Sequence, residues 1–139
     1  MYNDFMKKVL FICAGNVARS QMAEAFYNKF TSSSNAISAG ILDFTSAKYV
    51  HPITEVVKIM SEEGIDISQK KVKTVTVDMV TNVDQIYVLC PEEKIPEFIT
   101  KNNNVKYWNI EDPFDSSIEN FRVVRNKIKE KIEKLLQNL

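Results

Sequence analysis

The sequence has 139 residues, of which 45% are hydrophobic, enough for one domain with a buried core. Basic and acidic residues are equal in number, 18 of each, so the charge balance favours neither a nucleic acid nor an anionic membrane as partner. No apolar run approaches membrane-spanning length, and the apolar stretch near the start of the chain is too short for a signal-peptide core. Two cysteines outside any CxxC spacing indicate reduced thiols, and we expect a cytoplasmic protein.

The first predicted element is a strand over residues 9–12, a short apolar run typical of a strand buried on both faces. A helix follows, because apolar residues recur at helical spacing over residues 22–30. Between them, the polar loop of residues 13–20 begins with a cysteine and ends with an arginine and a serine. Because the first N–H groups of a helix have no intrahelical partner and attract anions, this loop is a candidate oxyanion site.

The loop carries the residue types with which a thiolate attacks a tetrahedral oxyanion. Cys13 is the candidate nucleophile, and it must lose its proton to act as one. The helix N-terminus, the positive charge of Arg19 and a nest of amides that Gly15 and Asn16 make feasible would stabilise both the thiolate and the bound anion. The planar guanidinium can hold two oxygens of the anion, and Ser20 can donate a hydrogen bond to the sulfur.

Cys13 has one alternative role. It could be an inert thiol buried at the end of a strand instead of a nucleophile. The only histidine, His51, precedes Pro52 at a predicted helix start, so we expect it to have a structural role rather than to activate Cys13.

The rest of the chain alternates between strands and helices. Strands are predicted at residues 36–40, 85–90 and 105–109. Helices are predicted at 53–63, at 77–81 and at 118–135, and Pro96 is expected to interrupt a further polar helix. This alternation predicts one α/β domain over residues 1–139, with a four-stranded parallel sheet and helices on both faces. The lysine-rich segment 70–73 is expected to be a solvated loop.

Ligands bind beyond the carboxyl ends of the strands in such open sheets, near the point where the strand order reverses. Cys13 follows the first strand, Cys90 the third and Asp112 the fourth. We therefore expect these three side chains to converge at one edge of the sheet.

Residues 13–20, Cys-Ala-Gly-Asn-Val-Ala-Arg-Ser, resemble the phosphate loop of the low-molecular-weight protein tyrosine phosphatases and of their relatives, the thioredoxin-coupled arsenate reductases. The resemblance covers nearly the whole chain and includes residues 38–40, residues 63–68, Asp84, Asp112 with Pro113, and the C-terminal helix. It implies a three-layer fold like that of these phosphatases. The implied phosphate-binding residues are Ala14, Gly15, Asn16, Val17, Ala18, Arg19 and Ser20.

In the phosphatase branch, the resemblance implies metal-independent hydrolysis of a phosphotyrosine protein or a small aryl phosphate. Cys13 would form a phosphocysteine while Arg19 holds the equatorial oxygens. Asp112 would protonate the leaving oxygen and then activate water, with Glu111 and Asp115 as rivals for that role. No metal or other cofactor is implied, and a solvated acidic loop is the alternative interpretation of these carboxylates.

The resemblance also indicates how a substrate would be selected. Phe44 and Phe114 would form the two walls of an aryl-binding crevice, where a phenyl phosphate gains contact that arsenate, lacking an organic group, does not. The alternative for Phe44 is that it packs under the loop.

Other features resemble the reductase branch. Residues 21–24, Gln-Met-Ala-Glu, lack the proline that phosphatases often have first, and Cys90 matches the second redox cysteine of the reductases. The third reductase cysteine corresponds to Glu97, so either an external thiol, from thioredoxin or glutaredoxin, completes the cycle or the reductase activity is absent. Cys90 is otherwise a buried strand residue, or a cysteine that protects Cys13 as a disulfide, since Ala18 replaces the loop cysteine that phosphatases use for this purpose.

We favour a phosphatase over a reductase at this point because of Phe44, Asp112 with its neighbours Pro113 and Phe114, and the missing third cysteine. The alternative is an arsenate reductase that uses Cys13 and Cys90 with an external thiol. A third possibility, a module that binds an oxyanion or phosphotyrosine without turnover, would need neither a nucleophile nor an acid.

Overall fold

The computed structural model describes residues 7–91 and 93–137. One sheet contains four strands, which are β1 (Val9–Cys13), β2 (Ala36–Gly40), β3 (Gln85–Val88) and β4 (Val105–Tyr107). All neighbouring strands are parallel, and their order is β2-β1-β3-β4. The order reverses at β1, so the carboxyl end of this strand lies at the switch point where ligands bind in open sheets.

Six helices connect and cover the strands: α1 (Arg19–Thr31), α2 (Asp43–Lys48), α3 (Thr54–Ser61), α4 (Val77–Thr81), α5 (Glu97–Thr100) and α6 (Ile118–Gln137). Helix α1 packs on β1 and β2 and against α6, which also contacts α3, while α4 contacts α5. The predicted α/β domain with helices on both faces of a parallel sheet is confirmed. No helix within the described ranges combines the length and the hydrophobicity needed to cross a membrane.

An aromatic cluster fixes the strand that carries the candidate nucleophile. All five residues of β1 are buried, as expected for a central parallel strand. Phe11 contacts Tyr87 of β3 and Trp108 after β4, with ring centroids 5.6 and 5.9 Å away, and the edge of Tyr27 from α1 at 6.1 Å. Full burial of a ring such as Phe11 contributes roughly 1.5–3 kcal/mol. The cluster therefore holds β1 firmly on three neighbouring elements.

The structure differs from the predicted boundaries at the sheet edge that carries the site. β3 ends at Val88 rather than at residue 90 because the carbonyl of Leu89 accepts a hydrogen bond from Arg19. β4 likewise ends at Tyr107. Pro96 does not interrupt a helix but precedes the first residue of α5, a position where proline lacks no needed N–H.

Helix α6 buries one stripe against the rest of the domain, as its apolar spacing predicts. The buried members are Phe121, Val124, Arg125, Ile128 and Ile132. The predicted stripe had Ile118 and Leu135 at its ends, and both are only half-buried.

Candidate functional site

The loop between β1 and α1 crosses the carboxyl edge of the sheet, because β1 ends at Cys13 and α1 begins at Arg19. Asn16 has a φ of 59°, in the left-handed region that asparagine tolerates better than most residues. Gly40 pairs with Cys13 in the β1–β2 register, and a Cβ on it would lie 2.7 Å from the carbonyl carbon of Gly15. The curved loop thus packs directly on the backbone of β2, where only glycine leaves room.

The sulfur of Cys13 is buried and surrounded by polar groups of the loop. The backbone N–H of Asn16 donates to Sγ at 3.2 Å, and the hydroxyl of Ser20 lies 2.9 Å from it. These contacts are those that a thiolate requires, since hydrogen bonds to the charged form stabilise it.

Asn16 connects the loop to three other elements. Its Nδ2 donates to Ser20 Oγ at 2.7 Å and to Ser38 Oγ of β2 at 3.0 Å. Its Oδ1 accepts from Gln21 Nε2 at 3.1 Å and from the backbone N–H of Lys73 at 2.9 Å. Every polar atom of this buried amide is therefore used, which holds the loop in one conformation.

Arg19 is held in place by two backbone carbonyls. Its Nη1 donates to Leu89 O at 3.1 Å and to Ile110 O at 2.9 Å, which follow β3 and β4. Its Nη2 lies 3.7 Å from Asp112 Oδ2. The guanidinium is thus oriented by the ends of two strands, with a carboxylate beside it.

A cavity of about 190 Å³ opens beside Cys13. Of the predicted phosphate-binding residues, five line it, namely Ala14, Gly15, Val17, Ala18 and Arg19. Asn16 and Ser20 are fully buried behind the loop and support it instead. The other lining residues are Leu42, Phe44, Thr45, Lys48, Tyr49, Asp112 and Phe114.

Both predicted aromatic walls line this cavity. Phe44 is the second residue of α2 and is 65% exposed, so it does not pack under the loop, and Phe114 is 42% exposed. Two exposed rings at one cavity provide apolar surface for a ligand larger than a bare oxyanion.

Among the three candidate acids, Asp112 alone lines the cavity. Its Oδ1 accepts from the backbone N–H of Phe114 at 3.0 Å, which fixes the turn that carries it. Glu111 pairs with Lys127 at 3.0 Å, and Asp115 lines a neighbouring cavity. The geometry therefore favours Asp112 over its two rivals.

Cys90 is buried directly after Leu89 and does not line the cavity. Neither Cys13 nor Cys90 is in a disulfide. His51 also lies apart from the cavity, with its Nδ1 2.7 Å from the carbonyl oxygen of Lys70. None of its described contacts is with Cys13.

One supporting residue, Glu24 of α1, escapes sequence reasoning. It is 5% exposed, accepts from Ser38 Oγ at 2.8 Å and pairs with Lys70 Nζ at 3.3 Å. The available signal is its position, since Glu24 is a carboxylate between the apolar residues Ala23 and Ala25 on a helix that must be buried.

The expectation that segment 70–73 is a solvated loop is incomplete. Its side chains are partly exposed, but the backbone N–H of Lys73 donates to Asn16, and the carbonyl of Lys71 accepts from Gln21 at 3.0 Å. The segment therefore braces the outer side of the loop.

Comparisons with known proteins agree with this geometry. Residues 8–139 match the family described as low molecular weight phosphotyrosine protein phosphatase. A glutaredoxin arsenate reductase from Synechocystis sp. is 34% identical over 136 residues, which cover 96% of this chain and 99% of that protein. An arsenate reductase from Brevibacillus brevis is 35% identical over 134 residues, which cover 94% and 95%.

A solved structure described as an arsenate reductase in the phosphate binding state matches with a TM-score of 0.78 and 30% identity. The match covers 96% of this chain and 98% of that one, so the similarity spans the whole fold including the loop. The resemblance read from residues 13–20 is confirmed, and the chain belongs to the low molecular weight phosphotyrosine protein phosphatase family.

Proposed function

We propose that the protein is an arsenate reductase that uses Cys13 and Cys90 with an external thiol reductant. The observation that carries the proposal is the full-length similarity, at 34% and 35% identity, to proteins named arsenate reductases. The sequence by itself favours a phosphatase, and these relatives shift the balance to the alternative.

The oxyanion site suits arsenate. Arsenate and phosphate are both tetrahedral anions, and the cavity combines Cys13, the loop and the guanidinium of Arg19. Because two backbone carbonyls already orient the guanidinium, little ordering is required when the anion binds.

The first step joins sulfur to arsenic. The thiolate of Cys13 attacks As(V), a Cys13 S–As bond forms, and one arsenate oxygen leaves as water after protonation. Asn16 and Ser20 hold the sulfur in place for this attack.

The second step is the reduction. The thiolate of Cys90 attacks Cys13 Sγ, so an S–S bond forms and the S–As bond breaks. The electron pair stays on arsenic, which leaves as arsenite, As(III), while the two cysteines are oxidised to a disulfide. The position of Cys90 supports this role, because it directly follows Leu89, whose carbonyl accepts a hydrogen bond from Arg19 of the oxyanion site.

The third step regenerates the enzyme. Glu97, at the position of the third reductase cysteine, begins α5 and has no thiol. An external dithiol, thioredoxin or glutaredoxin with a small thiol, therefore reduces the disulfide and is itself oxidised.

A second candidate function is metal-independent hydrolysis of aryl phosphates, including phosphotyrosine. The specific observation that favours it is the place of Asp112 at the cavity, with Oδ2 3.7 Å from Arg19 Nη2, and the exposed rings of Phe44 and Phe114 line the same cavity. There Asp112 would protonate the leaving phenoxide after Cys13 attacks phosphorus.

One experiment separates the two activities. Arsenate-dependent oxidation of thioredoxin or glutaredoxin is measured beside p-nitrophenyl phosphate hydrolysis for the wild type, Cys13→Ser and Cys90→Ser. We expect reductant oxidation that both substitutions abolish. Fast phosphate release that Cys90→Ser leaves intact, without arsenate-dependent oxidation, would instead establish the phosphatase.

A further inference from the structure

We propose that the ion pair between Glu24 and Lys70 positions the nucleophile Cys13 from the far side of the loop. It anchors a chain of hydrogen bonds that points donors at the sulfur, and Lys70 neutralises a carboxylate that would otherwise repel the thiolate and the oxyanion. The inference rests on the proposed function in one respect, that Cys13 reacts as a thiolate in an oxyanion site.

The chain of contacts is continuous from the surface to the sulfur. Lys70 Nζ lies 3.3 Å from Glu24 Oε2, and Glu24 Oε1 accepts from Ser38 Oγ at 2.8 Å. Ser38 Oγ accepts from Asn16 Nδ2 at 3.0 Å, and the same Nδ2 donates to Ser20 Oγ at 2.7 Å. Ser20 Oγ then lies 2.9 Å from Cys13 Sγ.

The direction of these hydrogen bonds follows from their ends. The backbone N–H of Lys73 can only donate, so the atom of Asn16 that faces it at 2.9 Å is the oxygen, and Nδ2 faces the two serines. An ionised Glu24 can only accept, so the hydroxyl proton of Ser38 is directed to it. Ser20 accepts from Asn16, which leaves its own proton for the sulfur.

The charge on Glu24 makes its partner necessary. A carboxylate that is 5% exposed needs a compensating cation, because water reaches it poorly. Lys70 is the cation in direct contact and remains half-exposed. Without it, the negative charge would act through the same buried chain on Cys13, opposing Arg19 on the other side of the loop.

Lys73 is a second cation near Glu24, but its place is different. Burial lowers the pKa of Lys73, and repulsion from Lys70 lowers it further, while attraction to Glu24 opposes both. Its Nζ donates to the carbonyl of Lys71 at 3.0 Å rather than to Glu24. Substitution of Lys70 is therefore the change that leaves the negative charge of Glu24 uncompensated, so that its effect on Cys13 can be measured.

The test uses four variants of the full chain: Lys70→Met, Lys70→Arg, Glu24→Gln and the double variant Glu24→Gln/Lys70→Met. The rate of Cys13 alkylation by iodoacetamide is followed from pH 5 to 9, with peptide mass spectrometry to distinguish Cys13 from Cys90. Protection by inorganic phosphate measures oxyanion binding in the same samples. Lys101→Met is the matched control, since Lys101 forms an exposed pair with Glu97 at 3.1 Å.

We expect Lys70→Met to slow Cys13 alkylation at neutral pH and to weaken phosphate protection, each about 3- to 10-fold, as removal of one nearby charge implies. Lys70→Arg and Lys101→Met should behave as the wild type. The double variant should recover most of the loss, because it lacks the uncompensated charge.

Two results would overturn the proposal. One is a rate of Cys13 alkylation in Lys70→Met equal to that of the wild type. The other is a double variant whose Cys13 is alkylated as slowly as that of Lys70→Met, when both variants have the urea midpoint of the wild type. Neither readout requires turnover, so a failure of arsenate reduction leaves this test intact.

Discussion

The guanidinium of Arg19 donates a hydrogen bond of 3.1 Å to the carbonyl of Leu89, the residue immediately before Cys90. In the proposed reaction, the group that holds the oxyanion is therefore tied to the segment that carries the second thiol. The same guanidinium would then bind the anion and help to fix the backbone next to Cys90.

We expect Arg19→Lys to lower kcat/KM for arsenate about 10²–10³-fold, the usual effect of removing one oxyanion donor. A single ammonium cannot hold Leu89 O, Ile110 O and the anion together, whereas the planar guanidinium can. Steady-state kinetics with a coupled reductant provide the measurement. Arg122→Lys on α6 is the control, and an equal loss in both variants would contradict the argument.

Asp112→Asn should affect the two activities differently. Hydrolysis of p-nitrophenyl phosphate is expected to fall about 10²–10⁴-fold, because no acid protonates the leaving oxygen. Reduction should fall much less, since its second step expels arsenite from sulfur rather than a phenoxide. Both rates are compared with those of Asp115→Asn, and equal losses of both activities in Asp112→Asn would show that this residue acts by supporting Arg19.

Phe44→Ala tests the aromatic wall. We expect the KM for p-nitrophenyl phosphate to rise about 3- to 10-fold, the worth of one ring contact, while the inhibition constant of inorganic phosphate stays unchanged. Phe98→Ala removes a partly exposed ring elsewhere and serves as control. A matching rise in the phosphate constant would mean that Phe44 supports the loop itself.

Gly40→Ala should damage the loop because its Cβ would lie 2.7 Å from the backbone of Gly15. We expect a stability loss of about 1–3 kcal/mol with a loss of phosphate binding. Gly64→Ala provides the contrast, since Gly64 has a φ of 74° and a Cβ on it would meet Lys29 Nζ at an ordinary contact distance of 3.7 Å. Backbone strain should lower the free energy of unfolding of that variant by about 1 kcal/mol, which urea titration measures. Its affinity for phosphate, measured by equilibrium binding, should stay unchanged.

The carboxylate of Glu62 makes the free energy of unfolding depend on pH. Hydrogen bonds from Arg122 and Arg125 lower its pKa from 4.5 to about 2. Because the folded pKa is the lower one, the stabilisation is fully present above pH 4.5 and is lost as the pH falls toward 2. Glu62→Gln should therefore be less stable than the wild type at pH 7 and lose less on acidification.

Urea midpoints measured between pH 7 and pH 3 test this prediction. Glu130→Gln is the control, since Glu130 forms an exposed pair with Lys134 at 3.3 Å. Parallel curves for the wild type and Glu62→Gln would contradict it.

The strand–loop–helix unit of residues 9–31 was predictable because its signals are local. The apolar run, the polar loop and the helical spacing are neighbours in sequence, and parallel pairing then brings Cys13 and Asp112 to one edge. The pairing of Glu24 with Lys70 was not predictable, because it joins α1 to a distant segment that carries only a charge pattern. The end of β3 at Val88 depends likewise on Arg19, a residue of another element.

The choice between the two activities also lay beyond the sequence pattern. Arsenate and phosphate have the same shape and charge, so residues 13–20 serve either one. Asp112 and Phe44 indicate one chemistry and Cys90 the other, and only comparison with whole relatives shifted the balance.

The single tryptophan of the chain belongs to the aromatic cluster on the central strand. The ring centroid of Trp108 lies 4.5 Å from that of Tyr87 and 5.9 Å from that of Phe11. Phe11 is two residues before Cys13. Fluorescence excited selectively from tryptophan therefore comes from one ring, which packs against the strand that ends at the proposed nucleophile. Oxidation of Cys13 or occupancy of its loop should be followed in real time through that emission, without any attached label.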